Sequence, residues 1–323
     1  MASVRSHSPP VVTLARTFLL SLSLLACGGD SPPAARGGEA AGASGAAGAG
    51  GAAGKAGSAG NVSADPCAED TDVPAAGAVC LGSVRGNVVD LGGAPVTQKL
   101  VTVCGVACFY GKTDATGAFV TPIGARLLPR EYVVFVHGGP THATLLVELA
   151  GDAQGPEITL DAPLRVPALP VDGPALPADA GPGGVVASGG LSLTIAPNTT
   201  VELDIEDVAL GDAGRRFRAV RVEAPDLPPF AKEMGGVFAF AIAPFDAVLS
   251  LPAAFTIDGT SGLAAGQKVE IFAQEDDFTQ EPSGLGKGRV IATGHVSSDG
   301  KQIVPDGGVG LSRLSWLGVR AAL

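Results

Sequence analysis

The 323-residue chain is poor in aromatic and basic side chains. It has one tryptophan and two tyrosines, and its 21 lysines and arginines are outnumbered by 32 aspartates and glutamates, for a formal net charge of −11. Nucleic-acid binding depends on clustered lysine and arginine that neutralise phosphate, so a nucleic-acid partner is excluded. Carbohydrate-binding surfaces usually stack sugar rings on exposed aromatic side chains. The scarcity of tryptophan and tyrosine in this chain therefore disfavours carbohydrate binding.

The sequence also lacks the motifs of common hydrolases. It contains neither the HExxH motif of zinc proteases nor the GxSxG nucleophile elbow. Serine, histidine and aspartate all occur, but nothing in their spacing groups them. We therefore expect no enzymatic activity, no catalytic residue, no cofactor and no metal.

Two alternatives to this expectation remain open. His137 and His142 bracket the turn "HGGPTH" and could hold a metal together with a carboxylate, although exposed turn histidines are the commoner explanation. Calcium prefers several oxygens from one or two loops. The acidic residues near strand ends that could supply them are Asp258, Glu275, Asp276 and Asp277.

The start of the chain combines positive charge with a short apolar run that ends on a cysteine. Arg5 and Arg16 both precede the apolar run "TFLLSLSLLA". Positive charge followed by a short apolar run is typical of an export signal. About ten apolar residues are too few to span a bilayer, which needs roughly twenty in a helix. The motif "LLAC", ending at Cys27, resembles the lipobox of bacterial lipoproteins. The resemblance implies cleavage before Cys27 and a lipid anchor on its thiol; a plain signal peptide with an incidental cysteine is the alternative.

A stretch rich in glycine, alanine, serine and proline follows Cys27. Such a composition buries too little apolar surface to offset its ordering entropy, so 27–65 is predicted to be a disordered tether behind a signal peptide at 1–26. A phosphate-binding loop is the alternative for "GAGGAAG", but the segment has no flanking strand, helix or P-loop lysine.

The residue after Cys27 bears on the location of the protein. Because Gly28 stands where many inner-membrane lipoproteins carry aspartate, we expect this protein to be at the outer membrane or the cell surface.

Beyond the tether, apolar residues recur in short runs of strand type. Examples are "LVTVC", "YVVFV", "HATLLVEL", "LSLTI", "VELDI" and "KVEIFAQ", with turn signals such as "TDATG" between the runs. This pattern is typical of antiparallel sandwiches rather than of βαβ units. We predict an all-β fold of two antiparallel β-sandwich modules, at 66–163 and 185–323. The proline-rich segment 164–184 is predicted to be an extended connector.

Two turns of the first module carry a family resemblance. Asp90 and Gly93 in "GNVVDLGGAPV", with Asp114 and Gly117 in "TDATGAF", resemble the carboxypeptidase regulatory-like, transthyretin-type β-sandwich. The carboxylates are placed to accept hydrogen bonds from backbone two residues on, and the glycines can take positive φ. That domain is a noncatalytic module, so the resemblance implies no catalysis.

The second module is similar in strand order to the β-sandwich of netrin receptors and zona occludens proteins. The similarity depends on a Gly-Gly-led strand, on "FAFAIAPFDAVLSLPAAFTID" and on "KVEIFAQEDD". Domains of that family mediate protein contacts. The resemblance therefore implies an unidentified protein partner.

Four cysteines follow Cys27, namely Cys67, Cys80, Cys104 and Cys108. In an oxidising compartment an even number indicates two disulfides, with three possible pairings. A straight strand would hold Cys104 and Cys108 too far apart to bond, whereas a tight hairpin at Gly105 would let them pair and leave Cys67 for Cys80. Zinc binding is the alternative, but the spacing lacks a second close pair or a histidine pair.

These observations together predict a noncatalytic lipoprotein of the bacterial cell envelope. Lipid on Cys27 would contact the membrane, and the β modules would serve a structural, adhesive or protein-binding role. A carbohydrate-binding envelope protein with a polysaccharide partner is the first alternative. An envelope hydrolase is the second.

Overall fold

The computed structural model describes residues 65–68, 70, 75–149, 155–275 and 284–322. The signal peptide, Cys27 and all but the last residue of the 27–65 tether lie outside this part of the chain. Within it, the all-β and largely antiparallel fold expected from the sequence is confirmed. No helix among these residues has both the length and the apolar content to cross a bilayer.

The described residues of the first module form eight strands and one 3₁₀ turn at Pro129–Glu131. Its strands are β1 (Val79–Val89), β2 (Leu100–Cys104), β3 (Cys108–Lys112), β4 (Ala118–Leu127), β5 (Val133–Val136), β6 (Leu145–Glu148), β7 (Glu157–Thr159) and β8 (Leu164–Arg165). One sheet has the order β4-β1-β7, with β8 also paired to β1, and the other has the order β3-β2-β5-β6. Their apolar side chains form one core, which includes Val84, Val103, Phe119 and Val134.

Both turns expected in this module have the predicted positive-φ glycines, but only Asp114 makes the predicted hydrogen bond to backbone two residues on. Asp114 Oδ1 accepts hydrogen bonds from the backbone N–H of Thr116 at 2.7 Å and of Ala118 at 3.1 Å. Asp90 Oδ1 instead accepts from Ala94, four residues on, at 2.8 Å. Gly93 and Gly117 both have positive φ.

In the second module, the residues that the structure describes form eleven strands and two short helices. The strands are β9 (Gly184–Ser188), β10 (Leu191–Ile195), β11 (Val201–Glu202), β12 (Arg218–Glu223), β13 (Phe238–Ala243), β14 (Ala247–Asp258), β15 (Lys268–Gln274), β16 (Gly288–Val296), β17 (Gln302–Pro305), β18 (Gly310–Leu314) and β19 (Leu317–Ala321). The helices are α1 (Ile205–Ala209) and α2 (Pro229–Glu233), and a 3₁₀ turn spans Gly211–Ala213.

These strands form one sheet of order β12-β13-β19-β15-β16-β17-β14-β10-β9, with β11 and β18 also paired to β14. The sheet curls until its first and last strands approach each other. The backbone N–H of Ala219 in β12 donates to Ser188 Oγ in β9 at 3.0 Å. The module is therefore a nearly closed, barrel-like sheet around its own apolar core.

Strand β13 joins the two modules because both of its faces are buried. Phe238, Phe240 and Ile242 belong to the core of the second module. The intervening alanines belong to the core cluster that contains the strands of the first module. Small side chains let the two modules approach closely. The sequence pattern predicted one apolar face for each strand, and this strand has two.

The proline-rich segment 164–184 is extended, but it does not hang free between the modules. Val166, Leu169 and Leu176 are buried. Val166 also donates its backbone N–H to Val89 at 2.9 Å, and Leu176 donates to Arg215 at 2.8 Å. The segment is thus packed against strand β1 at one end and against the second module at the other.

The predicted strand "VELDI" ends early. Val201 and Glu202 pair with β14, but Ile205 begins helix α1 and is 79% exposed instead of facing the core. The side chain of Asp204 accepts a hydrogen bond from the N–H of Ile205 at 2.7 Å. Aspartate is a strong N-cap, so this local bond overrides the apolar alternation that had suggested a strand.

Candidate functional site: the inter-module cleft

A cavity of about 410 Å³ opens between the two modules. We call it the inter-module cleft. The first module contributes the ends of β2 and β5 and the "HGGPTH" turn, and the second contributes helix α1 and the end of β13. Its lining includes Lys99, Leu100, Phe135, His137, His142, Asp204, Glu206, Asp207, Ala243 and Phe245.

His137 links the two modules at the edge of this cleft. Its Nδ1 lies 2.8 Å from Glu206 Oε2 on α1, and its Nε2 lies 3.1 Å from Thr102 Oγ1 on β2. The ring also packs against Phe135, with 4.1 Å between ring centroids. Both ring nitrogens therefore have protein partners, and the side chain is mostly buried.

The turn that carries the two histidines is held tightly. A Cβ on Gly138 would lie 2.1 Å from the backbone oxygen of His142, so this position requires glycine. Lys99 Nζ donates to the backbone oxygen of Gly138 at 2.6 Å and to Thr141 Oγ1 at 2.8 Å. Burial, followed by the nearby Lys99 charge, lowers the pKa of His142. Its imidazole therefore favours the neutral form.

Helix α1 places three carboxylates on the opposite wall. Burial, followed by the neighbouring Asp204 and Glu206, raises the pKa of Asp207 from 3.8 to about 7, against the opposing effect of Arg218. Arg218 is 2% exposed and donates from Nη1 to the backbone oxygen of Pro140 at 2.5 Å. Its Nε and Nη2 have no hydrogen-bond partner among the described residues.

The histidine pair does not assemble a metal site of the kind considered from the sequence. Within the described ranges, the one group of three potential ligands is Asp65 with Cys67 and Cys80, and both sulfurs of that group are in a disulfide. His142 Nδ1 lies 2.9 Å from Thr141 Oγ1. His137 and His142 thus line one cleft, but each has different partners.

The acidic residues considered for calcium are used in other ways where the structure describes them. Glu275 Oε1 accepts from Arg289 Nε at 2.5 Å, and Asp258 Oδ1 accepts from Gln302 Nε2 at 2.8 Å. Asp276 and Asp277 lie outside the described residues. His295, on strand β16, is exposed and lies 2.9 Å from Asp306 Oδ1.

The cysteines form two pairs. Cys67 and Cys80 are bonded, with 5.9 Å between their Cα atoms, and so are Cys104 and Cys108, with 4.2 Å. Cys104 and Cys108 face each other at the end of the β2–β3 hairpin. This hairpin closes the gap that a straight strand would leave.

The charged residues of the cleft were not identified from the sequence. Lys99 lies in a turn without any motif, so no signal pointed to it. The carboxylates of α1 did have a signal, because "DIED" places an acidic N-cap three residues before a second acid, as in a capping box. The apolar alternation of the same segment obscured it.

Comparisons with protein-family models, curated proteins and solved structures find no match for this chain.

Proposed function

We propose that this protein is a lipid-anchored, noncatalytic binding protein of the bacterial cell envelope, with its anchor on Cys27 and its β body displayed at the outer membrane or cell surface. The observation that carries the binding role is the apolar core shared between the modules. It packs the described residues of both modules into one compact unit, and sites built on packed elements are more precise than sites on loops.

The contacts of the histidines support a noncatalytic role. A general base needs a nitrogen within hydrogen-bond reach of the proton that it abstracts. His137 contacts Glu206 through one nitrogen and Thr102 through the other, which is the order of a carboxylate–histidine–hydroxyl triad. Thr102, however, is 2% exposed, so its hydroxyl is not open to a substrate and the nitrogen that contacts it is not free to act as a base. Substrate screening of the purified protein should detect no turnover, whereas activity that His137→Ala or His142→Ala abolishes would favour the envelope hydrolase.

The aromatic residues support a protein or small-molecule ligand over a polysaccharide. Trp316 and Tyr132 are buried. Among the described aromatic residues, Tyr110 is the one with large exposure, at 64%. A sugar platform would therefore depend on Tyr110, and retention on cell-wall polysaccharide that Tyr110→Ala abolishes would favour the carbohydrate-binding alternative.

The anchor is tested by Cys27→Ala, with Ser31→Ala as the matched control in the same segment. We expect Cys27→Ala to move the protein from the membrane fraction to the soluble fraction and to remove the lipid mass from the N-terminal peptide. Ser31→Ala should behave as the wild type does. Membrane retention of Cys27→Ala, or an unmodified Cys27 in natively expressed protein, would contradict the proposal.

A further inference from the structure

One wall of the inter-module cleft carries an ammonium group that no carboxylate neutralises. Lys99 Nζ has two hydrogen-bond partners, the backbone oxygen of Gly138 and Thr141 Oγ1, and both are uncharged. An ammonium group has three N–H donors. Among the described residues, no carboxylate lies within ion-pair distance of Lys99. This wall therefore offers a positive charge and one further donor.

The wall formed by α1 and its N-cap carries the carboxylates of Asp204 and Glu206 beside Asp207, whose pKa is raised to about 7. Asp204, Glu206 and Asp207 lie within four positions on α1 and its N-cap. His137 contacts one oxygen of Glu206, and the buried Arg218 acts on Asp207 from strand β12. Like charges this close together disfavour one another. A bound cation would relieve that repulsion.

Apolar side chains from both modules also line the cleft. Leu100 and Phe135 come from the first module, and Ala243 and Phe245 come from the second. The rings of Phe135 and Phe245 meet edge to face, with 5.8 Å between centroids. Small-ligand sites combine apolar walls with a few placed polar groups and measure about 300–1,000 Å³. The cleft, at about 410 Å³, lies in this range.

We propose that the inter-module cleft binds a small zwitterion with an apolar body, of the class of apolar dipeptides. The ligand carboxylate would be bound by Lys99, its ammonium by the carboxylates of α1, and its side chains by the apolar residues that line the cleft. This inference rests on the proposed noncatalytic binding role, and it gives that role a ligand class.

The test is calorimetric titration of the full-length protein with L-leucyl-L-leucine. Two matched probes each lack one charge: the N-acetylated dipeptide lacks the ammonium, and the dipeptide amide lacks the carboxylate. Since a lost charge-assisted hydrogen bond weakens binding by about tenfold or more, we expect saturable binding of the dipeptide and at least tenfold weaker binding of each matched probe.

Variants of the protein test which wall of the cleft binds each charged group of the ligand. Lys99→Gln keeps a hydrogen-bond donor but removes the charge. It should therefore lower the affinity for the dipeptide and leave the affinity for the dipeptide amide unchanged. Asp204→Asn keeps an N-cap for α1. It should weaken the binding of the dipeptide and of the dipeptide amide, which both carry the ammonium. The matched controls outside the cleft are Lys112→Met and Asp212→Asn, which should bind as the wild type does.

Three results would overturn the inference: no saturable binding of the dipeptide by the wild type, equal affinity for all three probes, or equal losses in the control variants. Folding of each variant is checked by its thermal unfolding, and Asp204→Asn tests the site independently if Lys99→Gln does not fold. Proton spectra of the dipeptide after incubation separate this inference from the proposed function. Specific binding with release of leucine would support the site and contradict the noncatalytic role.

Discussion

The indole Nε1 of Trp316 donates a hydrogen bond to the backbone oxygen of Thr144 at 2.6 Å, across the boundary between the two modules. Trp316 is 1% exposed, and its ring meets that of Phe230 edge to face with 6.2 Å between centroids. The single tryptophan of the chain thus follows a strand of the second module, lies in the core cluster that contains the strands of the first module and bonds to that module. Its energetic role is to hold the modules together.

Replacement of Trp316 should destabilise the protein in two separable steps. Trp316→Phe keeps most of the ring but leaves the Thr144 oxygen without its partner, at a cost of about 1–3 kcal/mol. Trp316→Ala also opens a cavity, and core substitutions of this size cost about 3–5 kcal/mol. Urea unfolding followed by circular dichroism measures both. Equal midpoints for the two variants and the wild type would show that the boundary contributes no stability.

Enlarging an alanine on the boundary face of β13 should separate the modules. Ala241 is fully buried and belongs to the core cluster shared with the first module. Ala241→Leu inserts volume where the two layers meet, and such overpacking costs about 1–3 kcal/mol. Ala265→Leu, at an exposed loop position, is the matched control. The prediction is wrong if both variants unfold at the same urea concentration.

The sequence predicted the strands well where a short apolar run, alternating or continuous, lies between turn signals. Strands β2, β5, β6, β10 and β15 each fall within a run whose apolar spacing indicated a strand. The turns at Asp90 and Asp114 were also predictable, because short carboxylates and positive-φ glycines have a local mechanism. Local patterns of this kind need no knowledge of the rest of the chain.

The cleft could not be predicted, because it exists only where the modules meet. Nothing near Lys99 in the sequence indicates that it faces α1, about 100 residues later in the printed chain. Phe135, in β5, and Phe245, two residues after β13, are 110 residues apart in sequence and meet only in the folded chain. The alternation in "FAFAIA" indicated an apolar face but gave no sign that its alanines are also covered. Contacts between elements far apart in sequence leave no periodic signal.

Gly117 should tolerate a side chain less well than Gly93, although both have similar φ values, +78° and +86°. A Cβ on Gly117 would lie 2.4 Å from the backbone oxygen of Val88, whereas a Cβ on Gly93 would meet nothing within 4 Å. Gly93→Ala should therefore cost only the left-handed backbone conformation, about 1–2 kcal/mol, and Gly117→Ala should cost more. Thermal unfolding of the two variants measures the difference. An equal loss of stability in the two variants would show that the contact with the Val88 oxygen adds no steric cost at Gly117.

The two disulfides should contribute unequally to the stability of the folded protein. Cys67 and Cys80 are 13 residues apart, while Cys104 and Cys108 are 4 residues apart. In the chain-entropy model a loop of the first size contributes about 3 kcal/mol, and the shorter loop contributes less. The paired variants Cys67→Ser/Cys80→Ser and Cys104→Ser/Cys108→Ser are compared by urea unfolding under oxidising conditions. A larger loss from the second pair would contradict the expectation.

Asp207 should make the stability of the protein depend on pH near neutrality. Burial, then Asp204 and Glu206, raises its pKa to about 7 in spite of Arg218, so the folded protein holds this proton more tightly than the unfolded chain does. The resulting stabilisation is present below the unfolded pKa of about 4 and is lost as the pH rises through about 7. Asp207→Asn resembles the protonated acid at every pH.

We therefore expect Asp207→Asn to match the wild type in urea midpoint at about pH 4, to exceed it increasingly between pH 4 and pH 7, and to keep that excess above pH 7. Asp212→Asn, on the exposed turn that follows α1, is the control and should show no such divergence. The measurement is a series of urea unfolding curves at one-unit pH intervals. A constant difference between Asp207→Asn and the wild type across the series would mean that Asp207 is not protonated in the folded protein at neutral pH, and that its charge is accommodated by Arg218.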